Sequence, residues 1–277
     1  SVIIPVYNEE KVITDCLESL HKQTREIDII VVNDGSTDYS KFRIQNVKVQ
    51  HKMQNLQLLE QKHFGPGMAR NLGAGKAKGE ILVFVDSDMT FAPDFIENLV
   101  KPIESGKSKG TFTQKEYVAN WENIWARCCN YNLNLPDKRR IPKDFPTTAP
   151  VFRAILKSEF IGVGGFTSGV GWTDDWTLSE KLGYYATKTH AVCYHANPQT
   201  LTEVFIQSCW IGKNHFISGN RKRILLSIFR YSFLTSFSTG FIKSVTYLEP
   251  LFIIFKFVYD LGINLGIISI IIGKNRN

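Results

Sequence analysis

The chain has 277 residues, of which 43% are hydrophobic and 21% are charged, a composition that excludes a disordered or fibrous protein. Its 33 Lys and Arg against 26 Asp and Glu give a net charge of +7, which favours an anionic partner such as a nucleotide, a phosphorylated lipid or a membrane surface. The five cysteines form no C-x-x-C motif, so neither a zinc ribbon nor a disulfide framework is expected.

Short β-branched runs alternate with helical stretches up to residue 218, the pattern of βα units around a parallel sheet. The predicted strands are residues 1–6, 28–34, 55–61 and 80–88. Helices are predicted after the first strand, over residues 66–78, and from Pro93. The sequence therefore predicts an α/β domain over residues 1–218.

Polar and acidic residues follow three of these strands, in the segments PVYNEE, VNDGSTD and VDSD. The carboxyl ends of parallel strands meet at one edge of a sheet, where ligands bind in open α/β folds. We therefore expect a cleft at this edge that is lined by Tyr7, Glu9, Asp34, Ser36, Asp86 and Asp88.

The D-x-D motif of Asp86 and Asp88 ends the fourth predicted strand. Alternate residues of an extended segment point to the same side, so both carboxylates could hold Mg²⁺ or Mn²⁺ together with the oxygens of a diphosphate. The other interpretation is that Asp88 only caps the next helix and that Asp86 lies in a solvated turn. The motif by itself leaves both interpretations open.

Four segments, in this order, resemble the family-2 glycosyltransferases of the GT-A fold, which are inverting and use nucleotide-sugar donors. They are SVIIPVYNEE (1–10), IIVVNDGSTD (29–38), GPGMARNLGAGKAKGEILVFVDSD (65–88) and GWTDDWTLSEKLG (171–183). The resemblance implies a Rossmann-like, mostly parallel sheet flanked by helices, a UDP- or GDP-linked sugar as donor, and Mn²⁺ or Mg²⁺ as cofactor.

The resemblance also implies roles for single residues on the donor side. It places Asp88 on the metal, with Asp86 and His195 as further candidate ligands. His195 could also donate to a phosphate. A lone histidine is more often a structural residue, so both interpretations of His195 stay open. The residues implied to bind the donor nucleotide are Pro5, Tyr7, Glu9, Asp34, Ser36, Arg70 and Asp86.

On the acceptor side, the segment TDDWTLSEKL resembles the acidic pair that precedes a helix in the family, which makes Asp175 the candidate general base and Asp174 its acidic neighbour. Thr177 stands where the family has a further acid. An inverting transfer needs one carboxylate that takes a proton from the acceptor hydroxyl, and a helix N-terminus would keep that carboxylate ionised. The alternative is that Asp174 and Asp175 only cap the helix.

Three tryptophans are candidate sugar-binding residues, namely Trp172, Trp176 and Trp210. The first two could stack on a sugar ring, although tryptophans at a helix start are also common packing groups. Trp210 lies in FIQSCWIGK, which resembles a segment near the donor or acceptor in the family, with Cys209 in place of the usual arginine.

The C-terminal part, residues 219–277, is expected to be a separate membrane-associated helical segment. It contains two long apolar stretches preceded by the basic residues 221–223. In the second stretch Lys256, Asp260 and Asn264 recur every four residues and form one polar stripe on a helix. The stretch could cross a bilayer, lie in its interface, or form a buried helical hairpin. We favour attachment to the cytoplasmic face of the cell membrane.

These patterns predict an inverting hexosyltransferase that acts on a hydroxyl group of a lipid-linked or cell-surface glycan. A polyprenyl- or dolichyl-phosphate glycosyltransferase and a non-catalytic nucleotide-sugar-binding protein are the alternatives. A dinucleotide-binding dehydrogenase is disfavoured because Arg70 stands where the third glycine of G-x-G-x-x-G belongs. We expect no nucleic-acid partner.

Overall fold

The computed structural model describes residues 1–167, 174–215, 226–227 and 229–274. The chain forms two compact units, of which the first comprises Ser1–Tyr117 with Lys143–His195 and the second Val118–Pro142 with Ala196–Asn277. The predicted boundary between residues 218 and 219 falls among residues that the structure does not describe, so it stays a prediction.

Four parallel strands form one half of the sheet in the first unit. In spatial order they are β3 (Leu56–Glu60), β2 (Ile29–Asn33), β1 (Val2–Val6) and β4 (Ile81–Phe84). Val2 is paired with Ile29 of β2 and with Val83 of β4. All five residues of β2 are buried, as expected for an interior strand with an unbroken apolar sequence. The four predicted strands and their parallel arrangement are confirmed.

Helices cover both faces of this sheet. Ile4 packs in a core cluster with Leu17, whereas the adjacent Ile3 packs in another cluster with Ala69, because successive residues of a strand point to opposite faces. The helices of the described residues are α1 (Ile13–His21), α2 (Ser40–Gln50), α3 (Pro66–Lys76), α4 (Phe95–Glu104), α5 (Ile124–Asn132), α6 (Lys157–Gly162), α7 (Asp174–Leu182), α8 (Leu201–His215), α9 (Phe233–Thr246) and α10 (Phe252–Lys274).

The fourth strand is shorter than predicted. It ends at Phe84, and a turn that is closed by the Met89 amide donating to the Asp86 carbonyl (3.2 Å) follows it. The prediction that Asp86 and Asp88 belong to one extended strand is therefore wrong. The helix expected from Pro93 begins two residues later, at Phe95.

Further strands extend the sheet beyond β4 in the order β4, β8, β6, β9, β5, with β7 paired to β9. The pairs β4–β8, β8–β6, β9–β5 and β7–β9 are antiparallel. These strands are β5 (Met89–Phe91), β6 (Gly110–Val118), β7 (Thr148–Ala149), β8 (Ala154–Leu156) and β9 (Ala186–His195). Met89 at the start of β5 is paired with His195 at the end of β9. This register brings His195 next to the D-x-D turn.

In the second unit Lys256 and Asp260 of the polar stripe of α10 are buried, and Asn264 is partly buried. Lys256 donates to Asp260 Oδ1 (2.7 Å), and Ser236 of α9 donates to Asp260 Oδ2 (2.7 Å). Asn264 Nδ2 donates to the Tyr231 carbonyl (2.8 Å). Length and composition allow residues 252–272 to cross a membrane. Lys256 and Asp260, the charged residues of this range, nevertheless pair with each other within the protein.

We predict that Lys256→Met destabilises the second unit by about 3 kcal/mol, because it leaves the Asp260 carboxylate buried without its cation. The double variant Lys256→Met/Asp260→Leu should recover most of the loss, since replacing both partners of a buried pair is often nearly neutral. Urea unfolding followed by circular dichroism measures both effects. Equal stability of the single and double variants would contradict this account of the pair.

Candidate active site

The loops that follow β1 and β2 are held together by side-chain hydrogen bonds. The Thr37 amide donates to Asn8 Oδ1 (2.8 Å), and the Asn8 amide donates to Ser36 Oγ (3.1 Å). The Glu9 amide donates to Ser40 Oγ at the start of α2 (2.7 Å). Two loops from neighbouring parallel strands thus form one surface at the carboxyl edge of the sheet, as the sequence predicts.

Asp34 organises the next loop, which leads into α3. Its side chain is buried, and it accepts hydrogen bonds from Gln61 Nε2 (2.6 Å) and from the amides of Phe64 and Gly65 (both 2.9 Å). Gly65 has a φ of 91°, which a residue with a side chain rarely adopts. Asp34 therefore shapes the chain on which α3 begins, and its predicted contact with a nucleobase stays a prediction.

Tyr7 and His63 form a stacked pair at this edge. Their ring centroids are 3.9 Å apart with an interplanar angle of 26°, and His63 Nδ1 lies 2.9 Å from Asp34 Oδ2. Tyr7 is 43% exposed, so part of its ring remains accessible to a ligand. Sequence reasoning missed His63, because a lone loop histidine has no motif that reveals its partner.

Asp86 is held between two arginines. Arg70 Nη2 of α3 donates to Asp86 Oδ1 (2.7 Å), and Arg153 Nη1 donates to Oδ2 (2.9 Å). Burial raises the pKa of Asp86, but the arginines, Arg153 first, outweigh it and keep the pKa well below its usual range. Arg70 and Asp86 thus contact each other, and their predicted roles in donor binding stay predictions. Arg153 was missed because it lies just before a three-residue strand with no recognisable motif.

Asp88 contacts His195, whereas Asp86 contacts the two arginines. His195 Nε2 lies 2.8 Å from Asp88 Oδ2, and the other ring nitrogen, Nδ1, lies 3.1 Å from Glu116 Oε1. Glu116 is only 8% exposed on β6, and its Oε2 lies 3.8 Å from Arg153 Nη2. Asp88 and His195, which the sequence predicted, and Glu116 and Arg153, which it missed, thus belong to one connected series of polar contacts.

Negative charge is in excess at this edge. Burial, together with the nearby carboxylates of Asp88, Asp38 and Asp86, raises the pKa of Glu9 to about 8. Besides burial, the repulsion between these neighbouring carboxylates thus disfavours the ionised form of Glu9. A cation bound here would reduce this repulsion.

Asp88 and His195 fit a divalent cation. A carboxylate oxygen and an imidazole nitrogen 2.8 Å apart are donors that Mn²⁺ accepts. The second ring nitrogen of His195 faces a carboxylate, as in most histidines that bind metals. Within the described residues no three His, Cys, Asp or Glu side chains converge as a complete metal site, so the remaining ligands would come from the substrate and water. Because the arginines engage both oxygens of Asp86, its role as a ligand stays a prediction.

The acceptor side is only partly described. Asp174 and Asp175 are the first two residues of α7, but their side chains and all of Trp172 lie outside the described residues. Trp176 follows on α7 and is 52% exposed. Trp210 lies on α8 of the second unit and is about half exposed. The roles of these five residues stay predictions, as do those of Pro5 and Ser36.

Known proteins resemble this chain in sequence. Residues 1–160 match the Glycosyl transferase family 2 domain. The chain is 40% identical over 105 residues to glycosyltransferase GlyA of Streptococcus pneumoniae, a match that covers 37% of this chain and 15% of GlyA. It is 44% identical over 93 residues to the poly(ribitol-phosphate) β-N-acetylglucosaminyltransferase TarS of Staphylococcus aureus, covering 32% of this chain and 16% of TarS. The match thus spans a small part of these curated relatives.

Solved structures share the fold over nearly the whole chain. TarS 1–349 in complex with UDP-GlcNAc aligns with 98% of this chain and 91% of that one, with a TM-score of 0.58 and 18% identity. Mannosyltransferase PcManGT from Pyrobaculum calidifontis, in complex with GDP-Man and Mn²⁺, aligns with 99% of this chain. The alignment covers 87% of the PcManGT chain, with a TM-score of 0.62 and 18% identity. The fold is therefore GT-A, and the family match covers more than half of the chain. This chain belongs to glycosyltransferase family 2.

Proposed function

We propose that the chain is an inverting hexosyltransferase that moves a sugar from a nucleoside diphosphate to a hydroxyl group of a lipid-linked or cell-surface glycan. The observation that supports this most directly is the carboxyl edge of the sheet, where Asp86 is held by two arginines and Asp88 contacts His195. The neighbours bound to UDP-GlcNAc and to GDP-Man with Mn²⁺ support the same class of donor.

Each donor-side residue has a chemical task in this proposal. The accessible face of Tyr7 stacks on the nucleobase, beside Asp34 and Ser36. Asp86 is fixed by Arg70 and Arg153, and each of its oxygens retains a lone pair that accepts a hydrogen bond from a ribose or sugar hydroxyl. Because the arginines hold this carboxylate in place, little conformational entropy is lost when the donor binds.

Asp88 and His195 would hold Mn²⁺ or Mg²⁺ in this proposal. When bound, the cation neutralises negative charge on the leaving diphosphate. Glu116 keeps the His195 ring turned so that Nε2 faces Asp88. A hydrogen bond to the other nitrogen of a metal-binding histidine fixes both its tautomer and its orientation.

We predict that a UDP- or GDP-linked sugar raises the melting temperature of the wild-type protein more with Mn²⁺ than with a chelator. Asp88→Asn should remove the part of this rise in melting temperature that depends on Mn²⁺. It should also lower turnover roughly 100-fold or more, since even changes to residues behind the metal ligands lower metal affinity or activity by about 10- to 100-fold. Asp94→Asn, an exposed aspartate at the start of α4, is the matched control. Full turnover by Asp88→Asn would refute the metal assignment.

Asp175 is the general base in this proposal, because its carboxylate at the N-terminus of α7 takes the proton of the attacking hydroxyl. Asp175→Asn should lower transfer to a hydroxyl acceptor by about 10²- to 10⁴-fold, while donor affinity measured by calorimetry stays unchanged. Near wild-type transfer would instead favour a polyprenyl-phosphate acceptor, whose oxygen is already ionised. Donor binding without any transfer by the wild-type protein would favour a binding protein.

The second unit would attach to the cytoplasmic face of the membrane, where nucleotide sugars are available. Helix α9 is apolar on its outer face and small or polar where it is buried: Ser236 and Gly240 are buried, whereas Leu234, Phe237 and Phe241 are more than half exposed. Both acidic residues of the described part of 226–274 are paired with cations, Glu249 with Arg127 and Asp260 with Lys256. This surface therefore presents apolar side chains without an unpaired carboxylate that would repel anionic lipid.

We predict that the protein sediments with vesicles of phosphatidylcholine and phosphatidylglycerol. The double variant Leu234→Asp/Phe241→Asp should bind them at least about tenfold more weakly, since each burial of a large apolar side chain contributes roughly 1.5–3 kcal/mol. Val49→Asp, at an exposed valine of α2, is the control. Unchanged sedimentation of the double variant would exclude this face as the membrane contact.

A further inference from the structure

A cavity of about 490 Å³ lies beside α7 in the first unit, and no step of the proposed reaction uses it. Its volume falls within the range of small-molecule sites. Pro150, Trp176, Glu180 and the adjacent Tyr184 and Tyr185 contribute to its lining. None of these residues belongs to the donor edge described above.

One face of α7 forms a wall of this cavity. Trp176, Ser179 and Glu180 line it, and their spacing of three and four residues places them on one side of the helix. Gly183, the residue that follows α7, also belongs to the lining. Ser179 Oγ donates to the Trp176 carbonyl (2.8 Å) and holds the first turn. Gly183 has a φ of 72°, and nothing lies within 4 Å of the position of an added Cβ. The wall is therefore open at its C-terminal end.

Aromatic rings form another part of the lining. Tyr184 is fixed from behind, because its hydroxyl donates to Glu159 Oε2 (3.1 Å) and Lys109 Nζ lies 5.7 Å from its ring centroid. Tyr185 is 59% exposed and Trp176 is 52% exposed. The cavity thus combines one immobilised ring with two rings that a ligand can reach.

The chemistry of the lining matches a neutral sugar. Aromatic faces pack against the apolar face of a pyranose ring, and the exposed carboxylate of Glu180 accepts hydrogen bonds from hydroxyl groups. No Lys, Arg or His belongs to the described lining of the cavity. A phosphate or a nucleotide would meet the negative charge of Glu180 without a compensating cation.

We infer that this cavity is a glycan-binding subsite, which holds neutral sugar units of the acceptor beyond the unit that reacts. The assignment to the acceptor rests on the proposed function, because Trp176 directly follows the predicted base, Asp175. Trp176 and Gly183 are separated by about 10 Å along the helix axis, so the wall exceeds the length of one sugar ring. The subsite would make the enzyme prefer oligomeric over monomeric acceptors.

The test uses the full chain and neutral gluco-, manno- and N-acetylglucosamine oligosaccharides of one to four units as probes. Saturation-transfer NMR and calorimetry should detect binding of at least one series, with affinity rising from one unit to three. Tyr185→Ala and Glu180→Gln should each weaken that binding by about three- to tenfold. The affinity for UDP or GDP with Mn²⁺ should not change.

Phe42→Ala, at an exposed aromatic residue of α2, is the matched control, and thermal melts verify that every variant is folded. The inference is overturned if no oligosaccharide binds the wild-type protein, or if Tyr185→Ala and Glu180→Gln bind the oligosaccharides as tightly as the wild type does. It is also overturned if the cavity binds alkyl chains without a sugar and no oligosaccharide. If the wild-type protein binds oligosaccharides but no nucleotide, the proposed function is contradicted and the glycan-binding subsite is still supported.

Discussion

The bridging of Asp86 by two arginines is the interaction on which the candidate active site depends. Arg70 comes from α3 on the parallel half of the sheet, whereas Arg153 immediately precedes the antiparallel strand β8. Their shared carboxylate connects the two halves at the edge where ligands are expected. Removing one arginine would leave part of the Asp86 charge without a partner in a partly buried position, which lowers the free energy of unfolding. The position of Asp86 is therefore set before any ligand arrives.

The rest of the charge network follows from the pairing of β5 with β9. Because Met89 lies opposite His195, the imidazole is next to Asp88, and β6 supplies Glu116 behind it. A shift of one residue in this register would turn His195 to the other face of the sheet. The metal proposal thus depends on strand register as much as on the D-x-D motif.

The second unit buries a charged pair of α10 and exposes apolar side chains of α9. The Lys256 and Asp260 pair is buried and bonded to Ser236, whereas Leu234 and Phe241 are exposed. In water such an arrangement exposes apolar surface and buries charge, both of which are unfavourable. In contact with lipid the apolar face becomes favourable, and the buried pair holds the helices together.

The sequence by itself determined the parallel strands β1 to β4 and the polar loops after them, because these follow from local apolar runs and from the residues that end each run. Tertiary structure alone decided that a turn separates Asp86 from Asp88, that Arg153, Glu116 and His63 join the site, and that the polar stripe of α10 faces α9. Apart from the turn, which is closed locally, these features depend on contacts between residues far apart in the chain, such as Asp88 and His195, which are separated by 107 positions. Hydrophobic periodicity reports which face of an element is buried, but not which distant side chain it meets there.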